Sequence, residues 1–154
     1  MSGRIVRVTG AVVLTGVAVC MGTSAAWAKT LSDSQWRKQA NAACKQFQAD
    51  RTAILPASGA TIATTRNTAA ARQYVDQAGP LYDELITSID ALAEPKAKAK
   101  SVAAFLAELK ADVTKIRTDP MAAFSAFEDP FEDANISAKK LKLSSCAGLA
   151  SQRI

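Results

Sequence analysis

Apolar residues recur along this chain at steps of three, four or seven positions, in four separate stretches. Such spacing places the apolar side chains on one face of an α-helix. The stripes are Trp36, Ala40, Ala43, Phe47 and Ile54; Val75, Ala78, Tyr82, Leu85, Ile89 and Leu92; Val102, Leu106, Leu109, Val113 and Ile116; and Met121, Phe124, Phe127, Phe131, Ala134, Ala138 and Leu141. Because period-two alternation is missing, the pattern predicts four amphipathic helices and no sheet.

The limits of the first two helices follow from capping and turn residues. Ser32, followed three positions later by Gln35, resembles a capping box that starts the first helix, and the stretch 56–59 (Pro-Ala-Ser-Gly) ends it. The second stripe keeps its register through Gly79-Pro80. We therefore predict one kinked helix there rather than two helices.

Prolines mark the limits of the last two helices. Pro95 precedes the third stripe, and Asp119-Pro120 closes it. Within the fourth stripe, Asp129-Pro130 resembles a new helix start, so the pattern predicts a fourth helix that is either kinked or split at Pro130. The tail 147–154 has no stripe and is predicted to fray.

Four amphipathic helices with short connections predict an all-α fold, an antiparallel up-down-up-down four-helix bundle. The first and last helices are neighbours in that topology. Cys146, just beyond the fourth helix, is then expected beside the N-terminal half of the first helix, where Cys44 lies. The topology and the cysteine positions support each other.

The first 28 residues have the features of a secretory signal. Arg4 and Arg7 give it a positively charged start, and no charged residue follows between positions 8 and 28. Ala26-Trp27-Ala28 places small residues at the −3 and −1 positions of a signal-peptidase site. We predict cleavage after Ala28, which leaves residues 29–154 as a single secreted or extracytoplasmic domain.

Two other fates of this segment stay open, and both attach the protein to a membrane. The uncharged stretch 8–28 is long enough to cross a bilayer core of about 30 Å as an uncleaved anchor. Cys20 could instead carry a lipid, although Val19 stands where lipoprotein signals usually have Gly, Ala or Ser.

Charge and composition exclude several classes of function. The chain has 19 Lys and Arg against 14 Asp and Glu, and no histidine. Removing Arg4 and Arg7 lowers the net charge from +5 to +3, too little to indicate nucleic-acid binding. The lack of histidine excludes Ser-His-Asp and Cys-His catalysis, Glu-x-x-His di-iron sites and histidine-ligated haem. With no phosphate-binding glycine loop either, we expect neither an enzyme nor a cofactor.

Cys44 and Cys146 are the two cysteines that remain after the predicted cleavage. In an oxidising compartment two such thiols form a disulfide by default, here closing a loop of about 100 residues. A redox-active or nucleophilic cysteine needs a histidine, a resolving cysteine or a CxxC spacing, and the sequence has none. A structural disulfide is therefore favoured.

Four acidic residues crowd the start of the last helix: Glu128, Asp129, Glu132 and Asp133. Their spacing of four clusters the carboxylates, and a hard cation such as Ca²⁺ uses oxygen ligands. The run lacks the alternating ligands and central glycine of a calcium loop, and acidic residues also complement a helix N-terminus. A solvated helix start is favoured and no metal is predicted, while cation binding stays open.

Three lysines, Lys96, Lys98 and Lys100, open the third helix, where positive charge opposes the helix dipole. They are candidates for contact with anionic envelope polymer or lipid headgroups, and otherwise serve solubility. No aromatic residue alternates with them, so base stacking is poorly supported.

Tyr82, Phe124, Phe127 and Phe131 form the candidate ligand pocket. A small apolar molecule could bind between helices that carry these rings. Aromatic residues at helical spacing pack more often as ordinary core, which is the favoured interpretation.

Three short stretches resemble a group of small, alanine-rich exported proteins of actinobacteria. They are Ala42-Ala43-Cys44, Leu92-Ala93-Glu94-Pro95 and Leu141-Lys142-Leu143-Ser144-Ser145-Cys146, with Lys142 where the group has glycine. The resemblance covers most of the chain after Ala28. It implies a disulfide-tied helical bundle of unknown function, with Cys44 bonded to Cys146 and no catalytic residue.

The function that fits these observations is a non-enzymatic extracytoplasmic binding or interaction module of the cell envelope. Its partner would be a protein, an envelope polymer or a small apolar molecule. The alternative is a carrier or sensor that holds a small apolar ligand between its helices.

Overall fold

The computed structural model describes residues 30–55, 59–125 and 128–149, and within these ranges the fold is all-α, without a β-strand. Its α-helices are α1 (Asp33–Ile54), α2 (Gly59–Thr65), α3 (Thr68–Asp90), α4 (Ala99–Thr118) and α5 (Glu132–Lys140). Two 3₁₀ helices, Lys96–Lys98 and Pro120–Phe124, lie on either side of α4 in the chain.

The predicted signal segment 1–28, with Cys20 and the cleavage after Ala28, lies outside the described residues. Within the described ranges, every helix is too short or too polar to span a membrane.

Helix α1 begins with the capping box that the sequence predicts. The Ser32 hydroxyl accepts the Gln35 backbone N–H at 3.3 Å, and the Gln35 side-chain oxygen accepts the Ser32 backbone N–H at 3.1 Å. Two N–H groups at the helix start are thereby paired. The buried face of α1 carries Trp36, Ala40, Cys44, Phe47 and Arg51.

Helix α3 is central and unbroken. It runs through Gly79-Pro80 as one helix, as its register predicts, and packs against both α1 and α4. Its N-cap is Asn67, whose side-chain oxygen accepts the Ala70 N–H at 3.1 Å. The short helix α2 packs against α3 and against Pro120–Phe124.

The predicted fourth helix is split into Pro120–Phe124 and α5. Asp119 and Asp129 each precede a proline and each accept the backbone N–H two residues later, from Met121 at 3.1 Å and from Phe131 at 2.9 Å. In each turn the aspartate side chain accepts a backbone N–H that would donate to a backbone carbonyl in a continuous helix. Each proline, in addition, has no N–H to donate. A new helical segment therefore begins at Pro120, and α5 begins shortly after Pro130.

Helix α5 ends in a Schellman motif. The Leu143 N–H donates to the Ala138 carbonyl at 2.8 Å, and the Lys142 N–H donates to the Lys139 carbonyl at 3.0 Å. Lys142 adopts φ 60°, the left-handed conformation that favours glycine. The tight turn therefore forms with lysine in its left-handed position.

The prediction of a frayed tail is wrong as far as Leu149, the last described residue. Cys146 and Leu149 are completely buried. Buried Asn135 helps to hold the tail, because its side-chain oxygen accepts the Leu149 N–H at 3.3 Å while its Nδ2 donates to Asp129 at 2.9 Å. The segment 141–149, rather than α5, closes against α1, since α1 and α5 make no close backbone contact.

The core is continuous through α1, α3, α4 and the tail. Its largest fully buried side chains are Trp36, Tyr82, Phe105, Phe131, Ile89, Leu109, Ile116, Leu143 and Leu149. In the described ranges Ile136, at 41% exposure, is the one exposed large apolar side chain. The described surface therefore has no cluster of large exposed apolar side chains.

Candidate functional site

A disulfide joins Cys44 in α1 to Cys146 in the tail, across a sequence separation of 102 residues. The two Cα atoms are 5.2 Å apart, within the usual range for a disulfide, and neither cysteine is exposed. A buried disulfide is protected from attacking thiolates. The geometry therefore assigns the pair a structural role, as the sequence predicts.

Polar side chains of α1 hold the tail on either side of this bond. Asn41 accepts the Ser145 N–H at 2.8 Å, and Gln48 donates to the Ser145 carbonyl at 2.6 Å. Arg51 donates to the carbonyl of Leu149. The tail is thus fixed by hydrogen bonds as well as by the covalent link.

Arg51 is buried beneath the tail, with its guanidinium carbon 5.8 Å from the centre of the Phe47 ring. Burial raises the pKa of Tyr82 far above its usual range, and burial also raises the pKa of Tyr74. The positive charge of Arg51 opposes both rises. Both phenols therefore stay protonated at neutral pH, which makes them unsuited to act as general bases.

The candidate ligand pocket consists, where described, of rings that pack on one another. Tyr82 stacks on Phe131 with 5.0 Å between ring centres. Tyr74 and Phe124 meet edge to face, with 5.2 Å between ring centres. These rings belong to the buried core. Phe127 lies outside the described residues.

The acidic run is divided among several local contacts. Asp129 caps the turn before α5, and Glu128 lies 3.7 Å from the Lys115 ammonium. Glu132 and Asp133 stand in the first turn of α5, where they complement its dipole. Among the residues that the structure describes, no group of three or more Asp, Glu, Cys or His side chains could hold a metal ion.

The three lysines occupy a short 3₁₀ helix and the start of α4. Lys96 and Lys100 are exposed and Lys98 is half-buried. Their helix has no side-chain cap. Their contact with anionic polymer or lipid headgroups stays a prediction.

Asp112 is a carboxylate with a raised pKa, which the sequence pattern does not predict. It is half-buried on α4, facing the first turn of α5, whose N-cap Phe131 supplies no side-chain cap. Burial raises the pKa of Asp112 to about 6, and the negative charges of Asp133 and Glu108 add to the rise. The Ala134 backbone N–H and the Lys115 charge oppose it. Asp112 directly precedes Val113 of the predicted α4 stripe, and this position was the signal in the sequence that it would be partly buried.

A groove of about 330 Å³ opens on the surface between α3 and the end of α4. It is lined by Arg72, Val75, Asp76, Gly79, Pro80 and Arg117. We refer to it as the arginine groove. The apolar register predicts only a kink at Gly79-Pro80. Two residues that weaken a helix, placed inside the most regular stripe, were nevertheless a signal that this part of α3 has a role besides helix formation.

Arg117 lies across this groove and pairs with Asp83. Its Nη2 is 2.7 Å from the Asp83 carboxylate, and a Cβ atom on Gly79 would come within 3.0 Å of the same nitrogen. Arg72 donates to the Arg117 carbonyl at 2.9 Å. Glycine at position 79 therefore makes the room in which the Arg117 guanidinium lies against α3.

A second groove, of about 150 Å³, lies between α1 and α3, and its lining has acidic residues but no basic one. Its lining is Ala43, Gln46, Phe47, Asp50, Leu81, Glu84, Leu85 and Ser88. The charged residues in it, Asp50 and Glu84, are both acidic. The two sides of α3 thus present grooves of different electrostatic character.

Comparisons of the chain with protein-family models, with curated proteins and with solved structures find no match.

Proposed function

We propose that this protein is an exported, non-enzymatic interaction module of the cell envelope that binds its partner through the arginine groove. The observation that carries the proposal is the Gly79-Pro80 pair in the middle of α3. In a helix interior glycine costs about 1 kcal/mol and proline about 3 kcal/mol relative to alanine. At this site Gly79 leaves the space that Arg117 occupies, and Pro80 lines the same groove as Arg72 and Arg117, so we infer that the pair serves binding rather than stability.

Export is supported by the disulfide, because such bonds persist in oxidising compartments. With the predicted signal, we propose that cleavage after Ala28 releases a secreted or extracytoplasmic domain. Lipid on Cys20 or an uncleaved anchor would instead hold the same domain at a membrane.

A binding role is favoured over catalysis by the positions of the unusual titratable groups. Tyr74 and Tyr82 belong to the core, and Asp112 faces α5, so none of the three lines the arginine groove. The chain has no histidine. A charged groove suits a protein or polymer partner better than a small apolar molecule, and the proposal requires no cofactor.

The scaffold that we propose for this role keeps the up-down-up-down order of α1, α3, α4 and α5, with α2 in the first connection and with the tail, in place of α5, beside α1. Contacts between successive helices, α1 with α3, α3 with α4 and α4 with α5, support that order. The tail would complete the bundle by returning to α1.

The carrier alternative has less support. Tyr82, Phe124 and Phe131 pack against other rings, so the described part of the proposed pocket is occupied by side chains.

Two measurements test the proposal. Mass spectrometry of the protein recovered outside the cytoplasm should give the mass of residues 29–154 less two hydrogens. The oxidised protein should co-sediment with isolated envelopes of the source organism, and the double variant Arg72→Gln/Arg117→Gln should lose that retention. Lys110→Gln removes an exposed charge on α4 outside the groove and is the control. Equal retention of both variants, or a purely cytoplasmic location, would overturn the proposal.

A further inference from the structure

We propose that the arginine groove is a carboxylate-binding site whose ligand is an acidic segment of a polypeptide. The inference rests on the proposed function, since it names the chemistry of the partner at the same groove.

The groove presents guanidinium groups from two different helices. Arg72 comes from α3 and Arg117 from the last turn of α4. Each uses one nitrogen in the bond described above, Arg72 to a carbonyl and Arg117 to Asp83. A guanidinium carries five N–H donors on three nitrogens. Arg72 keeps the donors that do not bond the Arg117 carbonyl. Arg117 keeps those of Nη1, because its Nε–Nη2 edge faces Gly79 and Asp83. Their fork geometry matches a carboxylate.

Arg117 is also partly ordered before any ligand arrives. Its ion pair with Asp83 holds Nη2, and the Nε–Nη2 edge of the guanidinium lies against the helix surface at Gly79. A side chain that is already ordered loses less entropy when it binds, and this increases affinity. An exposed arginine without such supports would have to be ordered by the ligand itself.

Acceptors in the same groove favour a polypeptide over phosphate. Pro80 has no N–H, so the Asp76 carbonyl lacks its helical donor, and the Asp76 carboxylate also belongs to the lining. A peptide brings backbone N–H groups to these acceptors together with a singly charged carboxylate for the arginines. Phosphate brings more negative charge and fewer donors, and the negative charge of Asp76 opposes phosphate more strongly than a singly charged carboxylate.

The acidic lining of the second groove predicts where an acidic peptide binds on this molecule. Asp50 and Glu84 would repel its carboxylates there. Binding should therefore perturb the α4 side of α3 and leave residues such as Gln46 and Ser88 unchanged.

The test is an NMR titration of the oxidised, ¹⁵N-labelled protein. The probe is the acetylated and amidated peptide Ala-Glu-Ala-Glu-Ala, compared with Ala-Gln-Ala-Gln-Ala and with inorganic phosphate. Saturable shifts are expected for the Gly79 amide and for the side-chain Nε–H groups of Arg72 and Arg117. The glutamine peptide should shift these signals little, and phosphate should bind more weakly than the acidic peptide.

Variants separate the roles of charge and geometry. Arg72→Gln and Arg117→Gln should each weaken binding about tenfold, as expected for the loss of a charge-assisted hydrogen bond. Arg117→Lys keeps the charge but loses the fork, and should also weaken binding several-fold. Lys110→Gln should change affinity less than about twofold, as expected for an exposed charge outside the site. An unchanged melting temperature for Arg72→Gln would show that its effect is not unfolding.

Several results would overturn the inference: no saturable shift at Gly79, equal shifts with the glutamine peptide, tighter binding of phosphate, or full affinity in Arg72→Gln. Envelope retention that depends on the arginines without any binding of the acidic peptide would leave the proposed function standing and remove only the ligand class. Peptide binding with no arginine-dependent retention would do the reverse.

Discussion

Replacing Asp112 with asparagine should stabilise this protein at neutral pH and leave it nearly unchanged in mild acid. The pKa of Asp112 rises in the folded protein from its ordinary 3.8 to about 6, chiefly because of burial. The folded state therefore binds the proton more tightly than the unfolded chain. This group contributes its full stability below a pH of about 4 and loses it as the pH rises through about 6.

The size of the effect follows from the two pKa values. A rise from 3.8 to about 6 corresponds to at most about 3 kcal/mol between the charged and neutral forms. Asp112 is only half-buried, so solvent screening reduces this to about 1 kcal/mol. Asparagine keeps the size and the carbonyl oxygen that faces the Ala134 N–H, and it carries no charge beside Glu108 and Asp133.

Urea unfolding of the oxidised protein at a series of pH values measures this difference. Asp112→Asn should exceed the wild type in unfolding free energy by about 1 kcal/mol at a pH near 7.5, with the difference shrinking towards zero near pH 4. Glu84→Gln, an exposed carboxylate on α3, is the control for a general change in net charge. If Asp112→Asn were less stable at neutral pH, or if the difference did not depend on pH, our account of Asp112 would be wrong.

Three further substitutions test other parts of the fold by the same urea assay. Replacing Cys44 and Cys146 together by alanine should cost up to about 4.7 kcal/mol, and an unchanged midpoint would contradict the role of the disulfide. Lys142→Gly should stabilise by about 1 kcal/mol because it relieves a left-handed conformation, whereas a loss would show that the lysine side chain contributes. Gly79→Ala should be neutral within about 0.5 kcal/mol, since better helix propensity offsets displacement of Arg117, and a large loss would mean that Arg117 cannot move.

Local patterns predicted the parts of the fold that local physics determines. The apolar stripes of α1, α3 and α4 follow from the spacing of apolar residues within each helix. The Ser32–Gln35 capping box depends on only four neighbouring residues. The cysteine pairing followed from having two thiols in a predicted oxidising compartment. Helix α2 was missed because seven residues are too few to display a stripe.

The remaining features depend on contacts between segments distant in the sequence. Leu149 stands in a tail without a helical stripe, and its burial depends on Arg51 and Asn135, 98 and 14 residues away. The pKa of Asp112 depends on burial and on charges that include Asp133 of α5, and the arginine groove depends on the contact between Arg117 and Gly79. No periodicity within one helix encodes which faces of two helices will meet.

The Cys44–Cys146 bond also determines how this domain would respond to mechanical force. A pull applied between residues 30 and 149 passes through the disulfide, so the chain between the cysteines carries no tension while the bond is intact. That chain, with its separation of 102 residues, would measure about 350 Å if fully extended. Most of the domain, including the arginine groove, is therefore shielded from stretching, and only the two short ends can lengthen under load.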